Sequence, residues 1–95
     1  VEPISRLSTV HVHSFIEGAA GTEQVRIAFT APDAEPGEGD WHEGEWGNPT
    51  PRGCPARILV GPDGVELGVG MWAMWVQVIG AVEKPVLRAG LVPVI

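Results

Sequence analysis

Met71-Trp-Ala-Met-Trp-Val-Gln-Val-Ile79 is the stretch on which the fold turns. At the period of two that a β-strand imposes, Trp72, Met74, Val76 and Val78 share one face with no polar member. Met71, Ala73, Trp75, Gln77 and Ile79 form the other face, which is nearly as apolar. A strand this apolar on both sides needs cover on both sides. The chain has 95 residues with which to supply it, so either a second sheet and a long loop close over the strand or a neighbouring molecule does. One of Trp72 and Trp75 then reads as the core tryptophan of a sandwich. The other is covered by the loop or offered to a partner.

Working outward, Ala56-Arg-Ile-Leu-Val60 reads as a strand and Gly61-Pro-Asp-Gly64 as a turn, with Pro presetting φ and Gly accepting positive φ. The turn predicts a hairpin to a partner segment over 65–69. Beyond 80–85 a final strand runs over 86–95. Pro93 has no N–H to donate, which places that strand at a sheet edge or ends its pairing early. In the first half, 24–30 alternates cleanly, with Val25, Ile27 and Phe29 inward and Gln24, Arg26 and Ala28 outward. Residues 7–16 place Val10, Val12, Ser14 and Ile16 on an apolar face and Thr9, His11, His13 and Phe15 on a more polar one. No stretch carries helical periodicity. Six or seven short strands between turn signals predict an all-β fold, a β-sandwich or small barrel, in one domain over 1–95.

Residues 31–55 differ from the rest. They hold five prolines, several glycines and the acids Asp33, Glu35, Glu38, Asp40, Glu43 and Glu45, with no Lys or Arg between Arg26 and Arg52. This long acidic Pro/Gly-rich loop would suit a functional or partly disordered segment. Trp41 and Trp46 argue against plain disorder, because each would bury on the order of 200 Å² in a pocket. The expectation is a short strand within 40–46, or a flap that folds back.

Composition narrows the function classes. Thirteen glycines and nine prolines would suggest disorder, but a hydrophobic fraction of 44% favours a loop-rich β domain. A net charge of −6 with six scattered Lys and Arg makes direct nucleic-acid binding and docking to an anionic membrane unexpected. The longest uncharged apolar run, 67–82, is short of the ~20 residues a membrane helix needs and is broken by glycines. The opening Val1-Glu-Pro-Ile-Ser-Arg-Leu7 lacks the apolar stretch of a signal peptide, and Val1 suits a processed product or a GTG start codon. Cys54 is the sole cysteine and reads as an inert thiol, with no spaced His–acid pair to activate it.

Chemistry finds little foothold. His11 and His13 point the same way and could share a metal with His42, yet alternation in a strand creates such pairs freely, and an exposed pair is the preferred reading. The acids of 31–55 lack calcium-loop spacing and read as a solvated flap. No hydroxyl sits in a nucleophile elbow, and 61–64 lacks the Gly-Lys-Ser/Thr ending of a phosphate loop. No cofactor, metal or enzymatic activity is expected. Trp41 and Trp46 could form a stacking platform in a ligand- or carbohydrate-binding module.

Several segments together carry a resemblance: Pro3-Ile-Ser-Arg-Leu-Ser-Thr9, Pro36-Gly-Glu-Gly-Asp-Trp41 with Trp46, Arg57-Ile-Leu-Val-Gly-Pro-Asp-Gly64, Met74-Trp-Val-Gln-Val78 and Glu83-Lys-Pro-Val-Leu-Arg-Ala-Gly90. The set resembles small virion structural proteins of actinobacterial tailed phages, encoded near the capsid and head–tail genes. The resemblance implies a small immunoglobulin-like β-sandwich located in the phage head after assembly in the host cytoplasm. It implies a non-enzymatic capsid decoration or minor capsid protein, with the major capsid protein or other virion subunits as partners and self-association on the particle. A GTG start would suit a high-GC phage genome. A head–tail connector or tail-associated component is the nearest alternative. Contact residues expected on this reading are Met71, Trp72, Trp75, Leu91 and Val94, with Trp41 and Trp46 from the loop. They would act through the 71–79 strand or by the C-terminal edge adding to a neighbour's sheet.

Overall fold

The period-two alternation becomes two antiparallel sheets that share one core. The computed structural model describes residues 3–95, so the reading of Val1 lies outside the described residues. These form β1 (Val10–Glu17), β2 (Gln24–Thr30), β3 (Trp41–Glu43), β4 (Glu45–Trp46), β5 (Gly53–Val60), β6 (Gly70–Ile79) and β7 (Val86–Val94), with no α-helix among the described residues. One sheet has the order β1-β5-β4 and the other β3-β2-β6-β7. Between them Val12, Ile16, Ile58 and Val60 meet Ile27, Met74, Val76 and Val92. This is the two-layer packing of a β-sandwich. Each such side chain, fully buried, contributes about 1.5–3 kcal/mol, so the apolar rows of the strands hold the layers together.

β6 is an interior strand, between β2 and β7, and turns Trp72, Met74, Val76 and Val78 to the core side. β2 keeps its expected bounds and inward face. β7 lies at the edge of its sheet. Its register against β6 slips between Met74 and Trp75, so Ala89 is the extra residue of a bulge, and Gly90 beside it takes φ +134°.

Three segments depart from expectation. β1 begins at Val10 and not at Leu7, because Ser8 N–H closes a turn on Ser5 O at 2.9 Å and Ile4 makes a parallel bridge to Val94. Residues 65–69 do not form the second strand of a hairpin. The Gly61–Gly64 turn brings Val65 back to Val60 as an isolated parallel bridge, with Val65 N–H donating to Leu59 O. The chain then crosses towards the other sheet with Leu67 buried. Residues 31–55, finally, are not loop throughout: the short strand expected within 40–46 is present as two pieces in different sheets, β3 paired with β2 and β4 with β5, and β5 begins at Gly53, three residues before the expected Ala56. Gly44 is the crossing point. Its N–H donates to Val25 O at 2.9 Å, and a Cβ there would lie 3.0 Å from Ile27 Cδ1, so the strap passes close over the core.

Candidate interaction face

The outer face of the four-stranded sheet is built from side chains that alternate with the core row. At mid-strand one cross-strand row runs Trp41 on β3, Ala28 on β2, Trp75 on β6 and Arg88 on β7. Ala28 is fully buried between the two indoles although it faces outward. Its small side chain leaves room for a large aromatic on either side.

Each indole is braced by a cation. The Arg26 guanidinium lies 5.6 Å from the Trp41 ring centre and donates from Nε to Gln77 Oε1 at 3.1 Å. The Arg88 guanidinium lies 5.9 Å from the Trp75 ring centre and donates to Pro32 O at 3.0 Å. Such cation–π contacts contribute about 0.5–1 kcal/mol at exposed sites. Trp75 Nε1–H donates to Thr30 Oγ1 at 2.9 Å, and Thr30 is buried at the head of the acidic segment. Beyond this row, Met71 and Leu91 are 47% and 40% exposed on the same face, separated by the buried Ala73. The result is an apolar strip, Met71–Leu91–Trp75–Trp41, with two arginine guanidinium groups over its indoles.

The structure brings some of the expected contact residues together and separates others. Met71, Trp75, Leu91 and Trp41 share this face. Trp72 lies on the opposite face of β6, packs against the core and donates from Nε1 to Gly68 O at 2.9 Å. Val94 must be corrected: at 3% exposure it belongs to the core, because it pairs with Gly70 on the inward side of β7. Trp46 also turns inward against the core, with Nε1–H donating to Glu23 O at 2.6 Å. Trp41 and Trp46 therefore stand in different sheets and form no common stacking platform.

The histidines separate likewise. His11 and His13 lie on the outer face of the three-stranded sheet with ring centres 6.1 Å apart. His42 is on β3 of the other sheet and lines an open cleft of about 740 Å³ with Phe29, Trp72 and several carboxylates. No group of three His, Cys, Asp or Glu among the described residues is placed to hold a metal ion. Cys54 is fully buried, with Sγ 3.4 Å from Gly47 O.

One feature was missed in the sequence. The open edge of β1 is long and carries neither Lys, Arg nor Pro, as Val10-His-Val-His-Ser-Phe-Ile16 already shows. Pattern alone does not say which strands become edges, so this signal has meaning only once the sheet order is known. Compared with models of known protein families, with curated proteins and with solved structures, the chain matches none.

Proposed function

We propose that this chain is a non-enzymatic structural protein of a tailed-phage particle, a capsid decoration or minor capsid protein that docks on the shell. The observation that carries the reading is the outer face of the β3-β2-β6-β7 sheet, where exposed Met71 and Leu91 and half-buried Trp75 and Trp41 form one apolar strip. Aromatic side chains with arginines among them are the composition of interface hot spots. Trp41 strengthens it, since its indole N–H has no hydrogen-bond partner among the described residues, whereas those of Trp46, Trp72 and Trp75 are bonded. The sequence resemblance supplies the partner class, the major capsid protein or another virion subunit.

The finer fold follows the same route. The orders β1-β5-β4 and β3-β2-β6-β7 support an immunoglobulin-like reading, in which they would stand for B-E-D and C′-C-F-G with the first strand displaced. Ile4, bridged in parallel to Val94, takes the place of a first strand that has moved to the last. The buried tryptophan of antibody domains has no counterpart on β2, and the lone Cys54 makes no inter-sheet disulfide, so the match is one of topology.

Binding of purified chain to assembled capsids tests the role. Wild type is expected to co-sediment with capsids, and Trp75→Ala with Leu91→Lys to abolish it. Failure of the wild type to bind any virion subunit would overturn the proposal. Copy number on the particle decides between covering the shell, as a decoration protein does, and forming a single ring at the head–tail junction.

A further inference from the structure

The four outermost strands of the two sheets are protected very unequally. β3 and β4 are only three and two residues long. β7 carries Arg88, Pro93 and a bulge, and its end is covered by Ile4 and Arg6, whose N–H groups donate to Pro93 O and Ile95 O. Short strands, prolines, bulges, basic residues and covering segments are the usual ways of keeping a sheet edge from pairing. β1 has none of them. It runs eight residues in unbroken register with β5 and has no Lys, Arg or Pro.

The direction of its free backbone groups follows from the bonds around it. Gly18 N–H donates to Arg52 O at 2.9 Å at one end of the β1–β5 ladder, and Gly47 N–H donates to Pro55 O at 2.8 Å across the β4–β5 pair. Antiparallel bonding alternates along a strand, so the even-numbered residues of β1 exchange bonds with β5. Pro55, which has no N–H to give, accordingly stands opposite Phe15. The N–H and C=O of His11, His13 and Phe15 therefore point away from the sheet.

We infer that β1 is a self-pairing edge: two copies of this chain join antiparallel through β1, with the two-fold axis at His13. In that register His13 faces His13 of the second copy, and Phe15 faces its His11. On the inner side Val10 faces the other copy's Ile16, and Val12 faces its Ser14. The two apolar side chains that β1 leaves exposed, Val10 at 37% and Phe15 at 48%, both gain cover. The stretch from Val10 to Ile16 has no acidic or basic residue other than its histidines. No Asp, Glu, Lys or Arg of this stretch therefore meets a like charge across the junction, a pairing that disfavours cross-strand contact. Placement of the remaining charge favours a second copy as the occupant. β4 lies at the far edge of the β1 sheet, and the acids of residues 33–45 lead into and through β3 and β4. Two chains of net charge −6 joined at β1 keep those acidic segments at opposite ends.

Sedimentation equilibrium of the full chain over a range of concentrations is the test. Wild type is expected to approach twice the 10.1 kDa chain mass. His13→Lys sets two ammonium groups across the axis and is expected to raise the dimer dissociation constant about tenfold or more, a change of ~1.4 kcal/mol. His13→Pro removes an N–H that points only to the open edge and is expected to do the same. Both variants must keep the wild-type circular dichroism. Hydrogen exchange in the wild type is expected to slow at His11, His13 and Phe15 as concentration rises. A wild type that stays monomeric, or a dimer that tolerates both variants with those amides still exchanging fast, overturns the inference. Leu91→Lys separates it from the capsid role, since that variant is expected to lose particle binding while self-association persists.

Discussion

The two faces of β6 have nearly the same apolar composition and entirely different surroundings. Inward, Met74, Val76 and Val78 lie against the second sheet and are held by shape and exclusion of water. Outward, Trp75 lies under no second layer; a hydroxyl from Thr30 and a guanidinium from Arg88 fix its position. The difference teaches that apolar content marks a surface as needing contact without saying whether the contact is inside the molecule. On the outer face directional bonds and cations keep large side chains ordered while leaving part of each indole open to solvent.

The largest expected effect lies on the inner face. Met74→Ala, at a side chain only 2% exposed, should lower stability by about 2–5 kcal/mol, seen as a lower denaturant midpoint with the slope retained. On the outer face, Trp75→Phe keeps a ring but removes the bond to Thr30 and should cost about 1 kcal/mol in the same measurement. A double-mutant cycle with Thr30→Val should show that the two losses are coupled and not additive. Arg88→Met, which removes the cation over Trp75, should cost about 0.5–1 kcal/mol. If it destabilised as much as Met74→Ala, the contrast between the faces would collapse. The smallest shift belongs to Leu91→Lys, expected within about 0.5 kcal/mol of wild type. In emission, Trp41→Phe should remove the most red-shifted tryptophan component, since Trp46 and Trp72 pack against the core.

Legibility in the sequence followed how locally each feature is determined. β2 could be read to its bounds because Val25, Ile27 and Phe29 alternate without interruption and Thr30 ends the run beside a proline-rich segment. The edge place of β7 followed from Pro93, whereas two apolar faces told only that β6 needs contact on both sides. Residues 65–69 read as a hairpin partner because Gly61-Pro-Asp-Gly64 is a strong turn signal. The turn instead sends Leu67 into the gap between the sheets, and Val69 stays exposed. The division of 41–46 between two sheets depends on Gly44 passing over Ile27, a contact seventeen positions away that no local pattern encodes. Of the expected contact residues, Val94 was misjudged for a similar reason. Its side is set by the bulge at Ala89, which resets the parity of β7.

The ladder that ties Ile4 and Arg6 to the end of β7 also has a mechanical meaning. Ile4 N–H to Pro93 O, Ile95 N–H to Ile4 O and Arg6 N–H to Ile95 O join two segments running in the same direction. A pull along the chain through Pro3 and Ile95 slides those segments past one another, so the three bonds share the load and must yield together. The same tension across an antiparallel hairpin would break them singly, like the teeth of a zip.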